Sequence, residues 1–270
     1  MNKIIKIFFL FFFIFIILAI AILSTSGFKT KKFNNFISQK INQNNENIKL
    51  NLKAIKFKLD ISQASLFLDT ENPKIYYRNI LIPSKNIKAY FDFLSLFKSE
   101  TKINKVILNL DEINVSQLQM LARSFKPSNL KSFVNNKLKY GKINSEIELY
   151  LDKKNSLRDF IVRGKINDLN AKITSDINLK DSSFSFLADQ TDLIVKNFFG
   201  KTEYFSIEEG FLNAELLDEI DIETNFNSII NYNGEFKKID KFLSTHKNFK
   251  NFKNFSNVQA KLNNIIKFKF

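Results

Sequence analysis

Residues 142–151, KINSEIELYL, decide the fold of this chain. Apolar and polar side chains alternate along them, which is the period of a strand with one apolar and one polar face. Similar alternation continues to about residue 236, broken by short polar segments and without crossover helices. This pattern predicts an antiparallel β-meander that curls into an apolar groove. The side chains predicted to line the groove are Ile147, Leu149, Leu151, Phe184, Phe186, Leu212, Leu216, Ile220 and Ile222.

The alternate positions of these strands are expected to face water. Three of them, Glu219, Asp221 and Glu223, share one strand face, so a calcium site or a general acid is one interpretation. We interpret them as a solvated outer face, because apolar residues occupy the positions between them. The acidic residues expected on the outer face are Glu146, Glu148, Glu219, Asp221 and Glu223.

Short polar segments are predicted to turn the chain between the strands. They are residues 152–155, 167–168, 180–182 and 208–210. A further turn is predicted at 262–264, before the alternating run 265–270. Residues 237–270 are therefore expected to begin a further, incomplete β module.

An earlier β module is predicted from residue 48 to residue 115. Its alternation slips by one residue at Ala54, which indicates a bulge or a tight corner. Strands are expected at 66–68, 75–82, 87–91 and 103–115.

Two short helices are predicted between residues 116 and 140, because the apolar period there changes to that of a helix. Ser116 is the expected N-cap, and Pro127 separates the two helices. They can cover only a few strands of the segment 141–236. The apolar side of that segment must therefore close on itself or hold a ligand.

The first 23 residues, MNKIIKIFFLFFFIFIILAIAIL, are long and apolar enough to cross a bilayer. We expect a retained anchor over 1–24 and a helical stem over 25–47. A cleaved signal peptide ending among the small residues 24–27 is the nearest alternative, and a buried core helix is a more distant one. Lysines flank both ends of the run, so the positive-inside rule does not decide the orientation.

Composition argues against several other classes of protein. The formal net charge of +14 arises from an excess of Lys, with only four Arg among 41 basic residues, and Lys, Ile, Asn and Phe are all favoured by AT-rich codons. The charge is therefore weak evidence for nucleic acid. The chain has no Cys, its single His246 lies in a Lys-rich stretch, and its six Gly are isolated. We expect no enzyme, no metal site and no cofactor.

Several segments resemble the AsmA-like proteins, and most closely the YhdP-type branch of that family. The resemblance lies in residues 164–171, 179–189, 194–200, 209–212 and 224–226, and residues 48–115 resemble the chorein-type entry module of bridge-like lipid-transfer proteins. It implies a single-pass anchor in the inner membrane and a periplasmic body. Proteins of this family are usually several times longer, so the resemblance also implies that the chain is an N-terminal fragment of a longer protein. It also implies a β-groove that carries phospholipid acyl chains between the two membranes and supports outer-membrane biogenesis.

Two other hypotheses remain open. The chain could be an anchored envelope scaffold or assembly factor that binds an outer-membrane or periplasmic protein and transfers no lipid. A membrane-tethered nucleic-acid binder rests on charge alone, and we do not expect nucleic acid as a partner.

Overall fold

The computed structural model describes residues 2–44, 46–63, 65–91, 102–152, 156–173, 177–203, 205–216, 220–233 and 257–269. Within them the chain is mainly antiparallel β with one long N-terminal helix, which confirms the predicted fold class. The helices are α1 (Asn2–Ser24), α2 (Asn34–Asn44), α3 (Val115–Arg123) and α4 (Asn129–Asn136).

The strands form two sheets. They are β1 (Phe28–Thr30), β2 (Ile48–Asn51), β3 (Ile55–Asp60), β4 (Ser65–Thr70), β5 (Lys74–Tyr77), β6 (Ile80–Ile82), β7 (Ser84–Phe91), β8 (Ile103–Leu110), β9 (Ile113–Asn114), β10 (Leu138–Leu151), β11 (Leu157–Lys172), β12 (Asn178–Ala188), β13 (Asp192–Lys201), β14 (Ser206–Leu216), β15 (Ile220–Asn233) and β16 (Asn257–Lys269). The larger sheet has 13 strands in the order β1, β3, β4, β7, β8, β10, β11, β12, β13, β14, β15, β16, with β9 beside β10. Its order is open, so β1 and β16 are its edges in the described part of the chain. The smaller sheet has the order β2, β5, β6.

The chain forms two compact units. Unit 1 comprises Met1–Asp111 and Glu146–Phe160, and unit 2 comprises Glu112–Ser145 and Ile161–Phe270. These units divide the chain differently from the expected segments 48–115, 116–140 and 141–236. Of the expected segment 237–270, residues 237–256 lie outside the described residues.

Helix α1 contains a 20-residue apolar stretch, Ile5–Ser24, that is long enough to cross a bilayer. Its side chains are almost all exposed, so it is not packed as a core helix within the described part of the chain. The segment expected to be a helical stem, 25–47, is helical only at α2. Its first part contains β1, which pairs with β3.

The slip at Ala54 is a corner at which the chain changes sheets. Strand β2 belongs to the smaller sheet, and β3 belongs to the larger one. The side chains of Ala54 and Ile55, where the chain passes from one sheet to the other, are buried. Residues 75–82, predicted as one strand, instead form the hairpin of β5 and β6. Arg78 and Asn79 adopt positive φ at its turn, as a two-residue type I′ turn requires.

The two predicted helices are present, but the predicted cap is wrong. Asn114, not Ser116, caps α3, and its side chain accepts the amide of Gln117 at 2.9 Å. The Gln117 side chain accepts the amide of Asn114 in return, which completes a capping box. Helices α3 and α4 pack on the sheet of unit 2, where the buried cluster comprises Val115, Val134, Leu138, Leu169, Ala171 and Leu179.

Three predicted turns lie inside strands. Strands β11 and β12 continue through 167–168 and 180–182, where Asp168 and Asp181 adopt positive φ at register shifts. Residues 208–210 likewise belong to β14, and the chain instead turns between Thr202 and Phe205. These positions are bulges, in which one extra residue bends a strand without ending it.

The predicted turn at 262–264 is also part of a strand. Strand β16 pairs with β15 without interruption from Asn257 to Lys269. The Asn263 side chain donates to Asn227 at 3.0 Å, and the Asn264 side chain donates to the hydroxyl of Ser228 at 2.9 Å. Cross-strand hydrogen bonds of these side-chain amides thus stabilise Asn in strand positions, where it is usually rare.

Candidate functional site

A row of apolar side chains crosses six neighbouring strands of unit 1. Residues that are paired directly across antiparallel strands point to the same face of the sheet. The pairings that join β1, β3, β4, β7, β8 and β10 therefore put one member from each strand in line. The row is Phe28, Phe57, Leu68, Ala89, Val106 and Leu149.

Two shorter rows extend this face. One runs Leu59, Leu66, Phe91, Ile103, and the other runs Ile87, Leu108, Ile147. We call the three rows together the unit 1 apolar face. It contains two of the predicted groove residues, Ile147 and Leu149, and strand alternation places half-buried Leu151 on the same side.

The unit 1 apolar face is only partly covered. None of its side chains is buried, and Phe28 is 63 % exposed. Ile55 continues the alternation at one end of the face and is fully buried, so the face is closed there and open over its three rows. Covering one half-buried Leu or Phe contributes about 1 kcal/mol, so an apolar ligand over the whole face would gain on the order of 10 kcal/mol.

The long row begins close to α1. Phe28 follows Ser24, the last residue of α1, by four positions. The ring of Phe33 meets that of Phe57 edge-on, with 6.2 Å between centroids. The long row therefore begins with aromatic side chains close to the end of α1.

Unit 2 has a second apolar face. One row is Val162, Ala188, Leu193, Ala214, Ile222, and the next is Phe186, Val195, Leu212, Thr224, Ile266. We call these rows the unit 2 apolar face.

Predicted groove residues lie on or beside the unit 2 apolar face. Phe186, Leu212 and Ile222 are half-buried members of it. Leu216 and Ile220 are paired in the backbone register, but their side chains lie outside the described residues.

One end of the unit 2 apolar face is covered by α3 and α4. Phe184, another predicted groove residue, lies at this border and packs against both the buried cluster and the ring of Phe198, 5.6 Å away. Gln119 of α3 donates to the carbonyl oxygens of Val134 and Leu138 at 3.2 and 3.0 Å, which ties the helices to the start of β10. Within the described residues, the two helices pack on this end of the unit 2 apolar face.

The opposite face of unit 1 is closed by its own side chains, and here the expectation that Glu148 faces water is wrong. Glu148 is 6 % exposed. Its carboxylate accepts the Tyr150 hydroxyl at 2.7 Å and lies 3.9 Å from the Lys105 ammonium. Lys105 lies over the ring of Tyr90, which stacks on Phe67 at 4.9 Å. Burial, followed by nearby carboxylates, raises the pKa of Tyr90.

On the outer face of unit 2, Asp221 and Glu223 are both exposed, as predicted. Glu223 pairs with Lys267 at 3.1 Å across the β15–β16 pair. No group of three His, Cys, Asp or Glu side chains that could hold a metal occurs among the described residues. Glu219 and His246 lie outside them.

Sequence reasoning missed most of the unit 1 apolar face, although each of its strands shows the alternation. The period of a strand tells which residues share a face, but the register between distant strands is needed to align Phe28 with Leu149. Comparison with other proteins does not identify further site residues. No protein-family model, curated protein or solved structure matches the chain, and the AsmA-like resemblance stays a prediction.

Proposed function

We propose that this protein is anchored in the inner membrane by α1 and carries phospholipid acyl chains on its apolar faces. In this proposal the β units lie in the periplasm, and lipid passes between inner and outer membrane to support outer-membrane biogenesis. The observation that carries the proposal is the apolar row from Phe28 to Leu149, which is exposed at Phe28, half-buried beyond it, and begins four residues after α1.

The chemistry of the two sheet faces in unit 1 supports an acyl ligand. An acyl chain gains about 0.8 kcal/mol for each methylene that it buries, and the unit 1 apolar face offers no charged or hydrogen-bonding side chain that would compete. The opposite face is occupied by its own ion pairs and stacked rings around Glu148 and Tyr90. A lipid would therefore lie on one face only and leave its headgroup in water.

A second candidate function, an envelope scaffold, is supported by the edge strand β16. Leu262, Ile265 and Ile266 are exposed on this 13-residue strand at the edge of the described sheet. An edge strand with exposed apolar side chains is a template for a strand of another protein. An outer-membrane or periplasmic protein is the partner that this function requires.

Photocrosslinking in cells tests the proposal with neighbouring residues on opposite faces. A photoreactive amino acid is placed at one member of each pair and then at the other, so that position along the strand is matched. The pairs are Leu108 with Asn109, Leu212 with Asn213, and Ile222 with Glu223.

The proposal predicts crosslinks to phospholipid from Leu108, Leu212 and Ile222 and none from their neighbours. Crosslinks to protein alone from the apolar positions would contradict lipid transport and favour the scaffold. Equal lipid crosslinking from both members of every pair would show that the label reports membrane proximity and not an apolar face.

A further inference from the structure

Lysines and exposed aromatic rings follow α1 directly. Residues 28–33 read FKTKKF, and Lys31, Lys32 and Phe33 are exposed. Phe36, at the start of α2, is 64 % exposed. Rings with lysines beside a membrane helix are typical of the boundary between hydrocarbon and headgroups.

The link between α1 and the sheet holds this segment near the end of the helix. Gly27 adopts φ +70°, and its amide donates to the Ile22 carbonyl oxygen at 2.8 Å. A Cβ at Gly27 would lie 2.8 Å from the carbonyl oxygen of Phe57 and 2.7 Å from the Lys58 side chain. The end of α1 is therefore packed on β3, and Lys29 lies within roughly 17 Å of Ser24 along the chain.

Two carboxylates form ion pairs with Lys29 and with lysines of the neighbouring strand β3. Glu71 pairs with both Lys29 and Lys56, which are direct neighbours across β1 and β3, and Asp69 lies 3.9 Å from Lys58. The hydrogen bonds from Lys29 and then Lys56 lower the pKa of Glu71 to about 2, so it stays ionised.

The charge of this cluster is positive. The three lysines already named and Lys31 and Lys32 make five positive charges, and the two carboxylates leave three net positive charges. No ion pair is described for Lys31 or Lys32 among the described residues, so these two lysines carry charge outward.

We propose that Lys31 and Lys32, backed by Lys29 and Lys56, bind the phosphate groups of anionic phospholipids in the leaflet from which α1 emerges. Each basic residue close to an anionic membrane surface strengthens binding to it roughly fivefold. The phosphate lies among the ammonium groups while Phe28, Phe33 and Phe36 enter the boundary of the hydrocarbon. The inference rests on α1 being a membrane anchor and not on lipid transfer, so it can hold for the scaffold as well.

Tryptophan fluorescence provides the test, because the chain contains no Trp. The full chain with Phe36→Trp is reconstituted in bilayers of phosphatidylcholine with one-tenth phosphatidylglycerol. In one sample the phosphatidylglycerol carries brominated acyl chains, and in the other an equal amount of phosphatidylcholine carries them. Bromine quenches only nearby Trp, so the ratio of the two quenching efficiencies gives the local enrichment of the anionic lipid.

We expect quenching to report at least a threefold local enrichment of phosphatidylglycerol, and 1 M NaCl to remove most of it. Lys31→Gln with Lys32→Gln should bring the ratio close to one, whereas replacement of both by Arg should preserve it. The matched control is Lys165→Gln with Lys172→Gln, a pair of exposed lysines in unit 2 that should change nothing.

Two results would overturn the inference. One is equal quenching by both brominated lipids in the chain that keeps all its lysines. The other is an enrichment that survives the Lys31 and Lys32 changes to Gln. Circular dichroism of each variant verifies that the β signal is unchanged, and the Arg variant separates loss of charge from loss of fold.

Discussion

Replacing Glu148 by Lys tests the assignment of the two faces of unit 1. The Glu148 side chain is 8 % exposed, the Lys105 side chain facing it is 14 % exposed, and 3.9 Å separates their charged atoms. The change would put two ammonium groups in one buried site and remove the carboxylate that accepts the hydrogen bond of the Tyr150 hydroxyl. Alternation alone would treat Glu148→Lys as a harmless change on a solvated face.

The structure gives the expected size of the effect. Removing one partner of a buried ion pair costs about 3 to 5 kcal/mol, since the other charge is left without compensation. Glu223→Lys is the matched control, because Glu223 also faces a lysine, Lys267, but the two side chains are 51 % and 70 % exposed. Such an exposed pair is worth about 0 to 1 kcal/mol.

Hydrogen exchange measured by mass spectrometry suits a chain with two compact units, because it reports each strand separately. A loss of 3 to 5 kcal/mol raises the population of the open state by roughly two to three and a half powers of ten. We expect amides of β8 and β10 to exchange faster by that factor in Glu148→Lys. In Glu223→Lys the amides of β15 should change by less than about tenfold.

A double variant separates charge from shape. Combining Lys105→Glu with Glu148→Lys restores opposite charges at the same two positions and should recover at least half of the lost protection. Exchange in Glu148→Lys no faster than in the Glu223 control would refute the burial of this carboxylate. The identification of the polar face as the closed one would then fail with it.

Two further predictions concern acid stability and the anchor. Glu203 is partly buried, which raises its pKa, but hydrogen bonds from the main chain and side chain of Asn178 and from Lys180 outweigh burial and hold the pKa at about 2. Because this pKa is below the ordinary value of 4.5, the stabilisation from Glu203 is present above pH 4.5 and is lost as the pH falls from about 4.5 to about 2. In thermal melts followed by circular dichroism, Glu203→Gln should lose this contribution to the pH dependence of stability. An unchanged profile would exclude Glu203 as its source. A reporter that is active only outside the cytoplasm, fused after Phe270, should be active, and an inactive reporter would reverse the orientation. The intact mass should include residues 7–23, and a mature start near Thr25 or Ser26 would mean that the helix is cleaved.

The existence of the strands could be predicted from the sequence, but the places where they end could not. Asp168 and Asp181 belong to types that are common in turns, and the sequence suggested turns there. Asp and Asn also tolerate the positive φ of a bulge, so one residue type serves both structures. The tertiary contact decides between them, since the Asp181 amide donates to the Asn170 side chain on the neighbouring strand at 2.9 Å.

The helix cap shows a similar limit. Ser116 and Asn114 are both good caps by type, and they are only two residues apart. Asn114 caps the helix because Gln117 lies at the position that completes a capping box with it. The pair 114 and 117 could have been found in the sequence by testing each candidate for its reciprocal partner.

The residues of the apolar faces were partly predictable, because a strand's period assigns each side chain to a side. The degree of burial was not, since it depends on what lies across the strand from each residue. Glu148 has Ile107 as its cross-strand partner, with Lys105 and Tyr150 close by, and it becomes buried among them. Glu223 has Lys267 as its partner on the edge strand and remains in water.

This difference between the faces of unit 1 bears directly on function. The polar face binds its own charges and rings to one another, as the stack of Tyr90 on Phe67 and the pairing of Lys105 with Glu148 show. Among the described residues the apolar face has no ion pairs of this kind, and its side chains are half-buried or, at Phe28, exposed. This incompletely covered surface, which begins at Phe28 beside α1, is the reason for proposing a lipid from the membrane as its ligand.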